Sequence, residues 1–217
     1  MTGALCRTGS WPRILALIGA VVLAIACGPG SAATQPTPPP GDLLWPAPAD
    51  PLQLARDAGL SPETKETLNF HVHAHLDVFL DGRQVLVPAG IGINIQDPGV
   101  HRFDFAGTAA YGRIRGCAQP CISPLHTHDQ SGVIHTESAS STPNRLGALF
   151  IEWNVPLSAS CVAQYCEPAT PVAIYLNGKR HTGDPSTIPL TDREEIAVVA
   201  GVAPPHIPSV FPSDAPA

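Results

Sequence analysis

Between Phe70 and Leu80 the chain alternates in chemical character. Phe70, Val72, Ala74, Leu76, Val78 and Leu80 stand on one phase, and His71, His73, His75, Asp77 and Phe79 on the other. Six apolar residues at a period of two predict a strand with one face in a core. The three histidines then share the opposite face, because alternate strand residues point to the same side. Asp81-Gly82 matches a tight hairpin turn, Arg83 to Val87 reads as the return strand, and Pro88 ends it. A second hairpin is expected over Leu125 to Glu137, turning at Asp129-Gln-Ser-Gly132. There His126 and His128 share one face, and His135 and Glu137 share one face of the partner. Whether those two faces coincide depends on the register of the turn.

Helical spacing appears twice. Leu52 to Gly59 reads as a short helix stopped by glycine. Leu146, Leu149, Phe150 and Trp153 form a longer stripe, with Thr142 placed to cap it and Pro143 at its first position. That stripe is core packing, since any surface helix needs it. Val172 to Leu176 leads into Asn177-Gly178, another hairpin signal, and Glu195 to Ala200 is the last strand. Hairpin, hairpin, helix, strand, strand defines an α+β domain, mainly antiparallel β with one central helix. A β-grasp-like arrangement, the helix across a mixed sheet, is a refinement; an all-β sandwich carrying one helix is the alternative.

The domain is bounded by composition. Residues 1–26 carry only Arg7 and Arg13 as charges, and an apolar run from Ile14 to Ala26 has the length of a signal-peptide core rather than of a membrane span. Residues 27–50 are rich in Pro, Gly, Ala, Ser and Thr, as in an extended tether. Residues 203–217 contain five prolines and read as a disordered tail. What remains, residues 51–202, is near the usual size of a single domain. The formal net charge is −6, and removing two arginines with the leader makes the chain more acidic still. No Lys/Arg run exists, so nucleic acid is not an expected partner.

Leu23-Ala24-Ile25-Ala26-Cys27-Gly28 resembles a bacterial lipoprotein cleavage box. The resemblance implies cleavage before Cys27, a lipid on its thiol (diacylglycerol with added palmitate) and a membrane-anchored protein facing outside the cytoplasm. The pattern departs at Ala24, where leucine is usual. Four further cysteines, Cys117, Cys121, Cys161 and Cys166, are an even set in an exported chain, which predicts disulfides. Local pairs, Cys117–Cys121 and Cys161–Cys166, suit their short loops; crossed pairs or a Cys2His2 zinc site with His126 and His128 are the alternatives.

Six of the nine histidines fall in the two runs His71-Val-His-Ala-His75 and His126-Thr-His128 with His135. Imidazole is the commonest metal ligand. His71, His73, His75, His126, His128 and His135, with Glu137, are therefore the candidate ligands, and Asp129 a second acid behind them. Imidazole with carboxylate suits zinc or copper, and also nickel or iron(II). Met1 is the sole methionine, which argues against a copper(I) carrier built on thioethers. Sequestration, sensing or delivery of the metal is the expected role. A metal-dependent hydrolase or hydratase with Glu137 as general base is the second reading. The third is a non-metal interaction module, in a pH-responsive form if the histidines charge together. No HExxH, Gly-x-Ser-x-Gly or phosphate loop is present, and Gly90-Ile-Gly92 carries no such signal alone.

The blocks around His71 to Leu76, Leu125 to Asp129, Ile134 to Ser138 and Thr182 to Asp192 resemble those of a group of exported bacterial and archaeal proteins of unassigned function. The resemblance implies one domain and adds no reaction.

Overall fold

The computed structural model describes residues 43–139 and 141–213. The leader, Cys27 and most of the tether lie outside them. Among the described residues no helix is long and apolar enough to cross a membrane.

The chain runs α1 (Pro51–Asp57), β1 (Phe70–Leu80), β2 (Arg83–Val85), β3 (His101–Phe105), β4 (Thr108–Gly112), β5 (Leu125–His126) and β6 (Val133–Ser138). It continues α2 (Leu146–Glu152), β7 (Cys161–Val162), β8 (Tyr165–Cys166), β9 (Val172–Leu176), β10 (Lys179–His181) and β11 (Glu195–Ala200). One sheet holds seven strands in the order β10-β9-β11-β1-β6-β5, with β2 on β1. β1 is its spine. The second half of β1, from His75, runs parallel to β11, while its first half, up to His75, is antiparallel to β6. β2 pairs antiparallel with its end, from Val78 to Leu80. A helix across a mixed sheet, with first and last core strands parallel at its centre, is the β-grasp-like form of the expected α+β class. The second histidine hairpin is an addition to the edge of β1.

Both expected two-residue turns are present. Asp81 and Gly82 have φ of 49° and 78°, and Asn177 and Gly178 have 49° and 75°. Two positive φ values in succession belong to the turn whose twist matches the flanking strands. α1 is capped by the Asp50 side chain, which accepts from Gln53 N, and Gly59 follows it at φ +80°. α2 begins later than its sequence suggests. Arg145 is extended and offers no side-chain cap. The reason is tertiary: Leu146 N donates to Ile188 O at 2.9 Å and Leu190 N to Asn144 O at 2.8 Å, which draws residues 144–146 into a strand-like pairing.

The apolar phase of β1 meets α2 as expected. Ala74, Leu76, Val78 and Leu80 share one core with Leu146, Leu149, Phe150, Trp153, Ile196 and Val198. Each such fully buried aliphatic or aromatic side chain contributes about 1.5–3 kcal/mol. The chain joins this core earlier than the composition of residues 27–50 suggests. Leu44 and Trp45 pack against it, and Trp153 Nε1–H donates to Trp45 O at 2.9 Å. The proline-rich tail also returns: Phe211 is buried, with the Arg193 guanidinium over its ring.

A smaller core of Ile93, Val100, Ile114, Cys121 and Ile122 organises the long insertion between β2 and β5. The β3–β4 hairpin in it, and the β7–β8 hairpin after α2, carry no alternation strong enough to have been expected. Cys117 pairs with Cys121 and Cys161 with Cys166, the local connectivity. The thiols are consumed in these bonds, which excludes the Cys2His2 site. Two disulfides fit an oxidising, extracytoplasmic compartment.

Candidate metal centre

The register of three strands builds the site. On β1 and β6, His73 lies opposite His135 and His71 opposite Glu137. On β5 and β6, His126 lies opposite His135. The two hairpin faces therefore coincide, and both histidine runs point to the side of the sheet away from α2. His73, His135 and His126 form a row across three strands. Ring centroids are 4.5 Å apart for His73 and His135, and 5.4 Å for His126 and His135.

Around His126, His135 and Glu137 this face is not a solvated polar surface. His126 is fully buried, and His135 and Glu137 are about 5% exposed or less. The insertion after β2 supplies the cover. Tyr111 N donates to His128 O at 2.9 Å, Gly90 N to Thr127 O at 2.9 Å, and Ser123 N to Gly92 O at 2.8 Å. Thr127 locks the strand from its other side, donating its hydroxyl to Pro88 O at 2.7 Å and accepting from Ile91 N at 3.2 Å. Gly92 makes this approach possible. It has φ +71°, and a Cβ there would lie 2.4 Å from Leu125 O and 3.2 Å from the His126 Cβ. A Cβ on Gly112 would lie 2.9 Å from His128 Nδ1.

The hydrogen bonds decide the tautomers. His126 Nδ1–H donates to Ser123 O at 2.9 Å, and His128 Nδ1–H to Tyr111 O at 2.5 Å. A carbonyl oxygen only accepts, so each Nδ1 holds the proton and each neutral ring presents a bare Nε2. Those two Nε2 atoms face each other at 3.3 Å. Two nitrogens bound at about 2.0–2.1 Å to one tetrahedral ion stand about 3.3 Å apart. Burial, followed by the field of His128, holds His126 well below the ordinary imidazole range, and burial does the same for His135. Burial also lowers His128 and His73. The rings are therefore neutral, the form that binds metal.

Glu137 completes the set. Its Oε1 is 3.3 Å from His71 Nε2, 3.5 Å from His135 Nδ1 and 3.9 Å from His126 Nε2. Burial, then Glu66 and Glu63, push its carboxyl up to about 8. Three buried polar atoms here have no hydrogen-bond partner: His73 Nε2, His135 Nδ1 and Glu137 Oε2. Such atoms are rare and costly in a folded protein unless something binds them. The metal-binding donors of His126, His128, His135 and Glu137 lie within 4.8 Å of one another, as do those of His71, His73 and His135.

Two candidate residues stand apart from this centre. His75 leaves the row because β1 leaves β6 there and joins β11, where its opposite residue is Glu195. Its Nε2–H donates to Ser131 O at 2.8 Å, and Nδ1 lies 3.0 Å from Glu195 Oε2 and 3.7 Å from Asp77 Oδ2. Burial opposes charge on this ring, but the Glu195 carboxylate and then Asp77 overcome it and raise its pKa. Asp129, expected behind the ligands, instead accepts Ser131 N at 2.8 Å and shapes the turn. The acceptors behind His126 and His128 are backbone carbonyls, which no side-chain pattern reveals. Of the isolated histidines, His101 and His206 are exposed and His181 is half-buried on β10.

Sequence reasoning missed Glu63 and Glu66, whose charges act on Glu137, and Asp192, whose carboxylate accepts His73 N at 3.3 Å. It also missed Glu152, which is fully buried in α2. Burial holds Glu152 well above the carboxylate range, so it is neutral. An acid inside the Leu149–Trp153 stripe was the available signal.

The sheet thus presents a buried histidine centre with one carboxyl, and its donor groups can hold a metal ion. Comparison of the chain with family models, curated proteins and solved structures found no match in any of the three.

Proposed function

We propose that this domain binds a transition-metal ion, zinc or copper, through His126, His128, His135 and Glu137. The carrying observation is the pair of bare Nε2 atoms of His126 and His128 at 3.3 Å, fixed by proton donation from each Nδ1 to a carbonyl. Two lone pairs aimed at each other repel unless a cation lies between them, and buried neutral rings do not supply a proton. The unpartnered His135 Nδ1 and Glu137 Oε2 add two further donors. Three imidazoles and one carboxylate make a tetrahedral set suited to zinc, or to copper(II) held by nitrogen.

Binding for sequestration or delivery fits the site better than catalysis. The crevice beside Glu137 and His126, walled by Glu63, Glu66 and Ser123, leaves no room for a molecule the size of water. Small-molecule pockets typically run about 300–1,000 Å³. The proposal places the domain at a membrane surface, exported by residues 1–26 and held by lipid on Cys27. The two disulfides support the oxidising compartment that this requires.

Elemental analysis of the untagged, exported protein, purified without chelators, tests the reading. About one equivalent or more of zinc or copper per chain is expected, lost in the His126→Ala/His128→Ala variant. No bound metal, and none taken up on titration, sinks it. Mass spectrometry of the processed N-terminus tests the anchor: a diacylglycerol-modified Cys27 is expected, and an unmodified thiol refutes lipidation.

A further inference from the structure

We infer that the centre holds two metal ions rather than one, the second on His71 and His73, with His135 shared between them. The inference rests on the metal reading of the first set.

Donor number is the first argument. His126, His128, His135 and Glu137 already fill a four-coordinate ion. His71 and His73 remain on the same face, and His73 Nε2 is buried without a partner. A single ion of higher coordination is the competing account. The spacing speaks against it. Each of the two sets gathers its donors within 4.8 Å, but His71 and His73 fall outside the first set, and His126, His128 and Glu137 outside the second. Donors on opposite sides of one ion at about 2.1 Å stand only about 4.2 Å apart. Six donors too spread for one ion, but grouped in two sets of suitable size, define two positions.

His135 belongs to both sets. It can serve both ions because imidazole has two ring nitrogens. The neutral ring carries one N–H, so loading the second ion breaks that bond and sends the proton to solvent, leaving imidazolate between the metals.

Charge is the second argument. Two divalent ions need more negative charge than Glu137 offers. Asp192 lies against His73, Glu66 and Asp129 act on His128, and Glu63 and Glu66 act on Glu137. These acids come from three separate segments, each close enough to act on this cluster. The other buried cluster, His75 with Asp77 and Glu195, differs because its donors are engaged: His75 Nε2 by Ser131 O, His75 Nδ1 by Glu195, and Asp77 Oδ1 by Gln84 Nε2 at 2.5 Å.

The second position also has access that the first lacks. His71 is exposed, with 30% of its side chain in contact with solvent, whereas His126 is sealed. Three imidazoles and an open side form a site where a metal can enter or leave, or where a water can bind.

Titration of the metal-free full-length protein with Zn(II), read by calorimetry and by elemental analysis after desalting, tests the inference. Two equivalents are expected for the wild type and one for His71→Ala/His73→Ala. One equivalent in the wild type overturns it and leaves the first site standing; two retained in the double variant overturn it as well. No zinc in either protein sinks both readings together. Copper(II) loading of the unaltered protein gives a second test, independent of how the variant folds. Two copper ions sharing an imidazolate are expected to lose most of the electron paramagnetic resonance intensity shown by the one-copper form. Two full-intensity, isolated signals overturn the shared histidine.

Discussion

His73 and His75 sit two residues apart on the same face of β1, and their environments are opposite. His75 has both ring nitrogens engaged, by Ser131 O and by Glu195, and its proton affinity is raised. His73 has an unpartnered Nε2, and burial followed by the neighbouring His71 lowers its proton affinity. The strand is the same; the neighbour differs. β6 places His135 beside His73, whereas β11 places Glu195 beside His75. A histidine next to a carboxylate becomes half of a structural ion pair. A histidine among imidazoles is kept neutral and becomes a ligand.

Substitution inside the centre and at His75 separates the two roles. The largest effect is expected at the centre: His126→Ala/His128→Ala lowers zinc affinity at least about 100-fold, since it removes two of four ligands. His75→Ala leaves affinity within a few-fold, and an equal loss in both variants would erase the distinction. Stability of the metal-free protein should reverse the order. His75→Ala strips the partner from buried Glu195 and costs about 1–3 kcal/mol in denaturant unfolding. His73→Ala costs about 0.5 kcal/mol or less, because its Nε2 has no partner to lose.

Proton linkage gives a third separation. Glu137 titrates near 8 in the metal-free fold because of burial, then Glu66 and Glu63. An unfolded glutamate titrates near 4.3. The folded protein therefore holds an extra proton between those pH values. The stability linked to Glu137 is complete below about pH 4.3 and lost as pH rises to 8. His126, with its pKa lowered, acts oppositely: folding gains stability as pH rises through the unfolded value near 6.5. Metal that takes the Glu137 carboxylate at pH 7 must displace its proton. Calorimetry in buffers of different ionisation heat should show about one more proton released by the wild type than by Glu137→Gln. Equal release in both proteins would remove Glu137 from the ligands. The smallest effect is expected at Asp129. Asp129→Ala should cost roughly 0.5–1 kcal/mol through the turn, with metal affinity changed less than threefold.

The regions that were legible and those that were not differ in physical kind. Alternation over Phe70 to Leu80 and the stripe Leu146 to Trp153 could be read because the same residues that set the local period also supply the core. Asp81-Gly82 and Asn177-Gly178 were legible because their conformation requires positive φ. The β3–β4 and β7–β8 hairpins were not, since their residues carry little alternation. The start of α2 was misplaced because pairing with residues 188–190 outweighed the local capping signal of Thr142 and Pro143.

Sequence alone determined which side chains are available for chemistry: six clustered histidines, one following glutamate, and four cysteines whose pairing it left open. It also determined that His71 and His73 share a face, because strand geometry allows nothing else. Only the tertiary structure decided which of them meet. Register across β1, β6 and β5 set His73, His135 and His126 in one row, and the switch of neighbour from β6 to β11 withdrew His75 from it. The carbonyls of Ser123 and Tyr111, brought in by folding of the insertion, fixed which nitrogen each ring presents. Spacing along a chain sets the faces of a strand, but ligand geometry arises between strands, where distant segments supply the neighbours.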